Sequence, residues 1–183
     1  GAAREASFTA FAEPALFLLI GSAALATGQP SFAGSIGQWQ HSASYAWLVA
    51  PAVLVLFVLL QAEAARVPVD DPLTHLELTM VHEVMILDHS GPELAAMQYA
   101  SAIKLTTYAG LIAALLNPWD LQQAPALALL ATLAIMVAVA VAVGCVESLT
   151  ARLRMKLVPH YLLLATAAAA AALAVTAWLE AAP

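Results

Sequence analysis

Residues 61–91 read QAEAARVPVDDPLTHLELTMVHEVMILDHSG, and the chain on either side is mostly Ala, Leu and Val. The stretch holds Glu63, Asp70, Asp71, Glu77, Glu83 and Asp88, six of the 12 carboxylates, with His75, His82 and His89, three of the five histidines. An apolar chain that gathers its proton-titrating groups in one place usually places chemistry there. Pro68 and Pro72 also prevent a helix from running through the segment. It therefore divides the apolar runs before it from those after it.

Those runs have the length of membrane spans. Of 183 residues, 63% are hydrophobic and only 10% charged, with a mean hydropathy of +0.87. Soluble domains carry about 25% charged residues, so this is the sequence of an all-α integral membrane protein. Five transmembrane helices are expected, at about 3–27, 45–65, 92–116, 125–149 and 159–178. Each is near the roughly 20 residues that cross about 30 Å of hydrocarbon. Gly28-Gln29-Pro30 ends the first and a Gly/Ser/Gln loop follows; Pro92 opens the third at its first turn. Asn117-Pro118-Trp119-Asp120 makes the turn into the fourth. Small residues dominate the last three, which suits close packing in lipid, and Ala167 to Ala172 reads as helix. Residues 1–183 are read as one membrane domain with a polar loop at 66–91. The first residue is Gly rather than Met, so a fragment or processed piece is expected.

The net charge of −6 and the lack of a basic cluster argue against nucleic acid. The single Cys145 excludes an iron–sulfur cluster held by this chain alone. Arg4, Arg66, Arg152, Arg154 and Lys156 fall on one side of the five-span topology. The opposite loops, Gly28–Ser44 and Asn117–Ala124, contain no Lys or Arg. The basic side, with the polar loop, is expected to be cytoplasmic in a cell membrane. The sixth cation, Lys104, lies roughly 20 Å along the third helix at 1.5 Å per residue, and Glu13 is similarly deep in the first. Such groups are functional candidates; the alternatives for Lys104 are snorkelling or pairing with a buried carboxylate. Glu147, near Ser148 and Arg152, reads as an interfacial ion-pair member. Glu63 and Arg66 stand three apart, a spacing that allows pairing on one helix.

Beyond the prolines, Thr74 or Asp71 is placed to cap a helix reaching about Asp88. On its wheel His75, Thr79, His82 and His89 share one face, while Glu77 and Asp88 lie nearly opposite and Glu83 sits beside Thr79. Two polar stripes separated by apolar residues point to a helix between partners or beside a wet cavity. The histidine spacing of seven puts neighbours about 10 Å apart, too far for one metal ion. His82-Glu83 begins a zincin-like pattern, but Ile86 stands where the second histidine belongs. No histidine lies midway along a span to anchor haem. There remains a cluster of carboxylates and imidazoles able to take up and pass on protons, against the plainer reading of a solvated loop.

At these residues the chain resembles the membrane-anchor subunit shared by respiratory complex I and energy-converting, formate-hydrogenlyase-type NiFe hydrogenases. Glu63-x-x-Arg66-x-Pro68-x-Asp70 resembles that family's Glu-x-x-Arg-x-Pro-x-Asp segment. Glu77-Leu78 matches the Glu-Leu of its acidic helix, and Ser90-Gly91 its closing Ser-Gly. Gly1-x-x-Arg4 and Glu13 fit an arginine and glutamate of an earlier helix. His75-Leu76-Glu77-Leu78-Thr79-Met80, His82-Glu83 and Asp88-His89-Ser90-Gly91 resemble the hydrogenase branch.

The resemblance implies an eight-helix fold of which this chain supplies the last five. It implies a non-redox subunit that docks a hydrophilic redox arm and couples electron transfer to proton or sodium movement through an acidic chamber. Glu63, Asp70, Asp71, Glu77 and Glu83 would form the chamber, with His75 and His82 as relays and Lys104 as a further candidate. Arg66, and Arg4 upstream, would be the charge partners, and Glu13 would continue the path into the membrane. No cofactor is expected on this chain; NiFe and Fe–S centres are expected in hydrophilic partner subunits, beside antiporter-like membrane subunits. The alternative is a quinone-binding subunit of an NADH- or ferredoxin-dependent quinone oxidoreductase.

Overall fold

The computed structural model describes residues 2–41, 45–70, 82–87, 89–119 and 121–181. Among them are seven helices and no strand: α1 (Ala2–Thr27), α2 (Phe32–His41), α3 (Ala46–Glu63), α4 (His82–Ile86), α5 (Pro92–Leu116), α6 (Pro125–Leu149) and α7 (Val158–Ala181). Five of them, α1, α3, α5, α6 and α7, are long and apolar enough to cross a membrane. The chain is an all-α integral membrane protein.

The helices assemble around α3, which packs on α1, α5 and α7. It is apolar on every side, as a helix flanked by other helices and by lipid must be; Leu48, Ala52, Val55, Leu56, Leu59 and Leu60 are buried, while Trp47 and Leu54 are exposed. Its outer partners α1 and α7 meet along a seam. On α1 a buried stripe runs through Ala12, Ala15, Leu19, Ser22 and Ala26, with buried Ala23 beside it; on α7 the buried positions are Val158, Leu162, Ala165, Ala169, Ala172 and Thr176. Both sets recur at intervals of three and four, the spacing that keeps one narrow stripe facing a neighbour. The alanines let the backbones approach closely, and in lipid such packing replaces the hydrophobic drive that holds soluble helices together. Ser22 and Thr176, the hydroxyls within the seam, are satisfied by donating to Leu19 O and Ala172 O of their own helices.

One end of the bundle is closed by α2, where a Gly/Ser/Gln loop was expected. Phe32, Ile36 and Trp39 stand at helical spacing and form an apolar face that outweighs Gly34 and Gly37. Ile36 and Trp39 are buried, Phe32 meets Trp39 edge-to-face at 6.4 Å, and Thr27 and Ser35 share a hydroxyl contact of 2.9 Å. The α5–α6 turn lies at the same end. Buried Asn117 donates to Ala128 O and Thr132 Oγ1 and accepts from Trp119 N, fastening the turn to the start of α6.

The other end is polar, and it begins where α3 stops. Arg66 N donates to Gln61 O at 2.8 Å and Ala65 N to Ala62 O at 3.4 Å, the two reversed bonds of a Schellman ending. Ala65 occupies the left-handed position (φ 51°) that glycine usually fills. Pro68 follows directly, and a further turn brings Val69 N and Asp70 N to Arg66 O. Gly91, also at positive φ (61°), turns the chain so that Pro92 can open α5.

Candidate functional site

The polar end holds a partly open cavity of about 120 Å³, enough for several water molecules. Its wall is drawn from four segments: Glu5, Phe8 and Thr9 of α1, Glu63 of α3 with Val69 and Asp70 just beyond it, His82 and Met85 of α4, and Met97, Ser101 and Lys104 of α5. Among the described residues, three carboxylate-bearing residues, one histidine and one lysine thus line a common space between apolar helices.

Lys104 is its centre. The Nζ atom stands 3.1 Å from Glu63 Oε2 and 3.4 Å from Glu5 Oε1. A single ammonium between two carboxylates leaves the trio one negative charge in excess. Glu63 is the better buried of the two acids (15% exposed against 35%), so its contact with the ammonium is the less screened. Glu63 closes α3 and Glu5 lies in the first turn of α1. Lys104 is therefore level with the ends of those helices, although it stands about 18 Å along α5 at 1.5 Å per residue. The first half of α5 runs past that level: none of residues 92–107 is buried, whereas Ala109, Ile112, Ala113 and Leu115 are.

Asp70 forms the second half of the site. It is only 3% exposed; Oδ1 lies 3.2 Å from Arg152 Nη2, and Oδ2 accepts from the His82 backbone N–H at 2.9 Å. Beside it Arg66 Nη1 lies 3.5 Å from Glu147 Oε1, and Leu153 N donates to Pro68 O at 2.9 Å. The α6–α7 connector is thus held against the turn that follows α3. The two ion pairs differ in weight. Partly exposed pairs such as Arg66–Glu147 stabilise by about 0–1 kcal/mol. Removing one partner of a buried pair such as Asp70–Arg152 costs about 3–5 kcal/mol.

Glu63, Asp70, His82 and Lys104 come together as cavity residues. Arg66 does not pair with Glu63, because the helix ends at Glu63 and the i,i+3 geometry is lost; its partner is Glu147. Glu147 is an ion-pair member as expected from sequence, but of Arg66, while Arg152 goes to Asp70. Glu13 does not reach the cavity. It is exposed, along a shallow groove on α1 that it shares with Glu5, Ala6, Thr9 and Ala10, of which Glu5 and Thr9 also line the cavity. Arg4 is likewise exposed. His89 lies outside the cavity and pairs with Glu93 at 3.0 Å. Asp71, His75 and Glu77 lie outside the described residues, as does the Glu83 side chain. Among the described residues no cluster of three or more His, Cys, Asp or Glu is arranged to hold a metal.

Two cavity partners were not singled out from sequence. Glu5 shares a helix face with Thr9 and Ala12, the start of the buried α1 seam, whereas Glu13 is turned away from it. That phase relation was the available signal. Nothing local marks Arg152 as the partner of Asp70, since the contact exists only once α6 and α7 are folded.

A bundle of apolar helices, five of them long enough to cross a membrane, with an acidic cavity at one end defines a multi-pass membrane protein. The family model described as NADH dehydrogenase matches residues 1–177. The chain belongs to the NADH dehydrogenase family, of the complex I subunit 1 type, and so to the membrane part of a complex I-like, multi-subunit assembly. Among curated proteins and among solved structures, nothing matches it.

Proposed function

We propose that the chain is the non-redox membrane subunit of a complex I-like oxidoreductase of the hydrogenase branch. It docks the hydrophilic redox arm and couples electron transfer there to proton or sodium movement through the cavity. Support for the branch comes from His75 through Met80 and from Asp88-His89-Ser90-Gly91. Support for coupling comes from one observation above all: Lys104 is shared between Glu63 and Glu5 inside a cavity also lined by Asp70 and His82.

The ammonium can lean toward either carboxylate without leaving the cavity. When a proton arrives on Glu5, the positive charge is released to Glu63, and the change is felt at Asp70 and His82 across the same space. The shift is least screened at Glu63, whose side chain is 15% exposed against 35% for Glu5. Asp71, His75, Glu77 and Glu83 extend the titrating set, and Glu13 carries it toward a neighbouring membrane subunit. Arg66, Arg152, Arg154 and Lys156 belong to one end of the fold, and an excess of basic residues marks the cytoplasmic side of the cell membrane. Redox centres, NiFe and Fe–S, belong to the hydrophilic partners, and antiporter-like subunits receive the charge.

Lys104→Gln tests this in the assembled complex reconstituted into vesicles. Ions moved per electron fall by about an order of magnitude. Unchanged ion movement at normal turnover contradicts the assignment. A second reading, a quinone headgroup in the cavity, draws on the apolar wall of Phe8, Met85 and Met97. It predicts turnover that depends on an added quinone analogue.

A further inference from the structure

We infer that Arg152, on the α6–α7 connector, is a positioning residue of the cavity, acting through Asp70 to hold His82 in place. The inference rests on the coupling reading only for its consequence, not for its geometry.

Asp70 is a joint between three segments distant in sequence. Its backbone N–H is held by Arg66 O in the turn after α3. One carboxylate oxygen takes the His82 amide at 2.9 Å, and the other faces the Arg152 guanidinium at 3.2 Å. A carboxylate this buried, 5% exposed in its side chain, is costly to keep in place unless a cation compensates it. Arg152, 14% exposed, does so and at the same time limits its rotation. With one oxygen committed to the guanidinium, the other is aimed at the His82 N–H. Five-residue α4 has little helical stability of its own, so this bond is a principal anchor for the segment carrying His82 and Met85 into the cavity wall.

The connector is in turn located by bonds on either side of Arg152. Leu153 N donates to Pro68 O, and Glu147 at the end of α6 pairs with Arg66. A shift of α6 or α7 relative to α3 therefore reaches His82 through Arg152 and Asp70. Arg154 and Lys156 lie on the same connector but are exposed and are not cavity residues.

The test uses the assembled complex, with hydrogen–deuterium exchange of residues 82–87 measured beside ions moved per electron. Arg152→Gln speeds exchange of that segment about tenfold and lowers ion movement severalfold. Arg152→Lys restores both, and Arg154→Gln changes neither. In an Asp70→Asn background, where Arg152→Gln completes a neutral pair rather than stranding a buried carboxylate, it adds less than about twofold to the exchange rate. Exchange in Arg152→Gln equal to the parent, or a full effect in the Asp70→Asn background, overturns the positioning role. Faster exchange with undiminished ion movement leaves the positioning role standing and overturns the coupling reading instead.

Discussion

Gln61 illustrates how much a single polar side chain costs in this bundle. It is 1% exposed on α3; Oε1 accepts from the Tyr161 hydroxyl of α7, while Nε2 has no hydrogen-bond partner among the described residues. Tyr161→Phe removes that remaining bond and should destabilise the protein by about 0.5–2 kcal/mol, the range for side-chain hydrogen bonds between membrane helices. Adding Gln61→Leu should recover most of the loss, because no buried amide is then left unsatisfied. Unfolding of the purified variants in detergent measures both. At this scale the sequence was informative about which residues titrate and less so about whom they meet. Glu63, Asp70, His82 and Lys104 stood out as polar groups among apolar neighbours, and the cavity contains all four. Their partners depend on where helices end and how they are phased. Arg66 lost its neighbour because α3 stops at Glu63, and Glu5 gained a role because its face of α1 turns inward.

Helices are the scale at which the sequence was most legible. The five long apolar runs, the start of α5 at Pro92 and the turn at Asn117-Pro118 are all found where length and proline placement put them. α2 was missed because its glycines and glutamine masked a short apolar face whose burial depends on α1. Alanine content suited the last three helices to close packing, yet it did not specify which pairs form. The α1–α7 seam appears only when the three-and-four spacing is compared on both helices. Ala169 is fully buried in that seam, whereas Val141 lies on the exposed face of α6. Ala169→Leu should therefore destabilise by about 1–3 kcal/mol through overpacking. Val141→Leu should change stability by less than about 0.5 kcal/mol, as surface substitutions do. Thermal unfolding of the two variants in detergent separates them, and equal effects would refute the seam.

For the whole molecule, the asymmetry between the two ends matters most. One end is sealed by α2 and by Asn117; the other gathers the acids, the cavity and the connector carrying Arg152. Charge and the positions of the prolines made that polar end visible from the chain alone. Its closure by the α6–α7 connector was not visible, because it joins segments far apart in sequence. The central claim is that the cavity, rather than acidity at that end in general, couples charge to electron transfer. Glu63 and Glu93 allow a direct comparison, since both lie toward this end but only Glu63 is a cavity residue; Glu93 is 73% exposed and pairs with His89. The decisive measurement is ions moved per electron by the complex in vesicles, carrying Glu63→Gln or Glu93→Gln. The account predicts a loss of about an order of magnitude for Glu63→Gln and parental coupling for Glu93→Gln. Equal coupling in the two variants would contradict it.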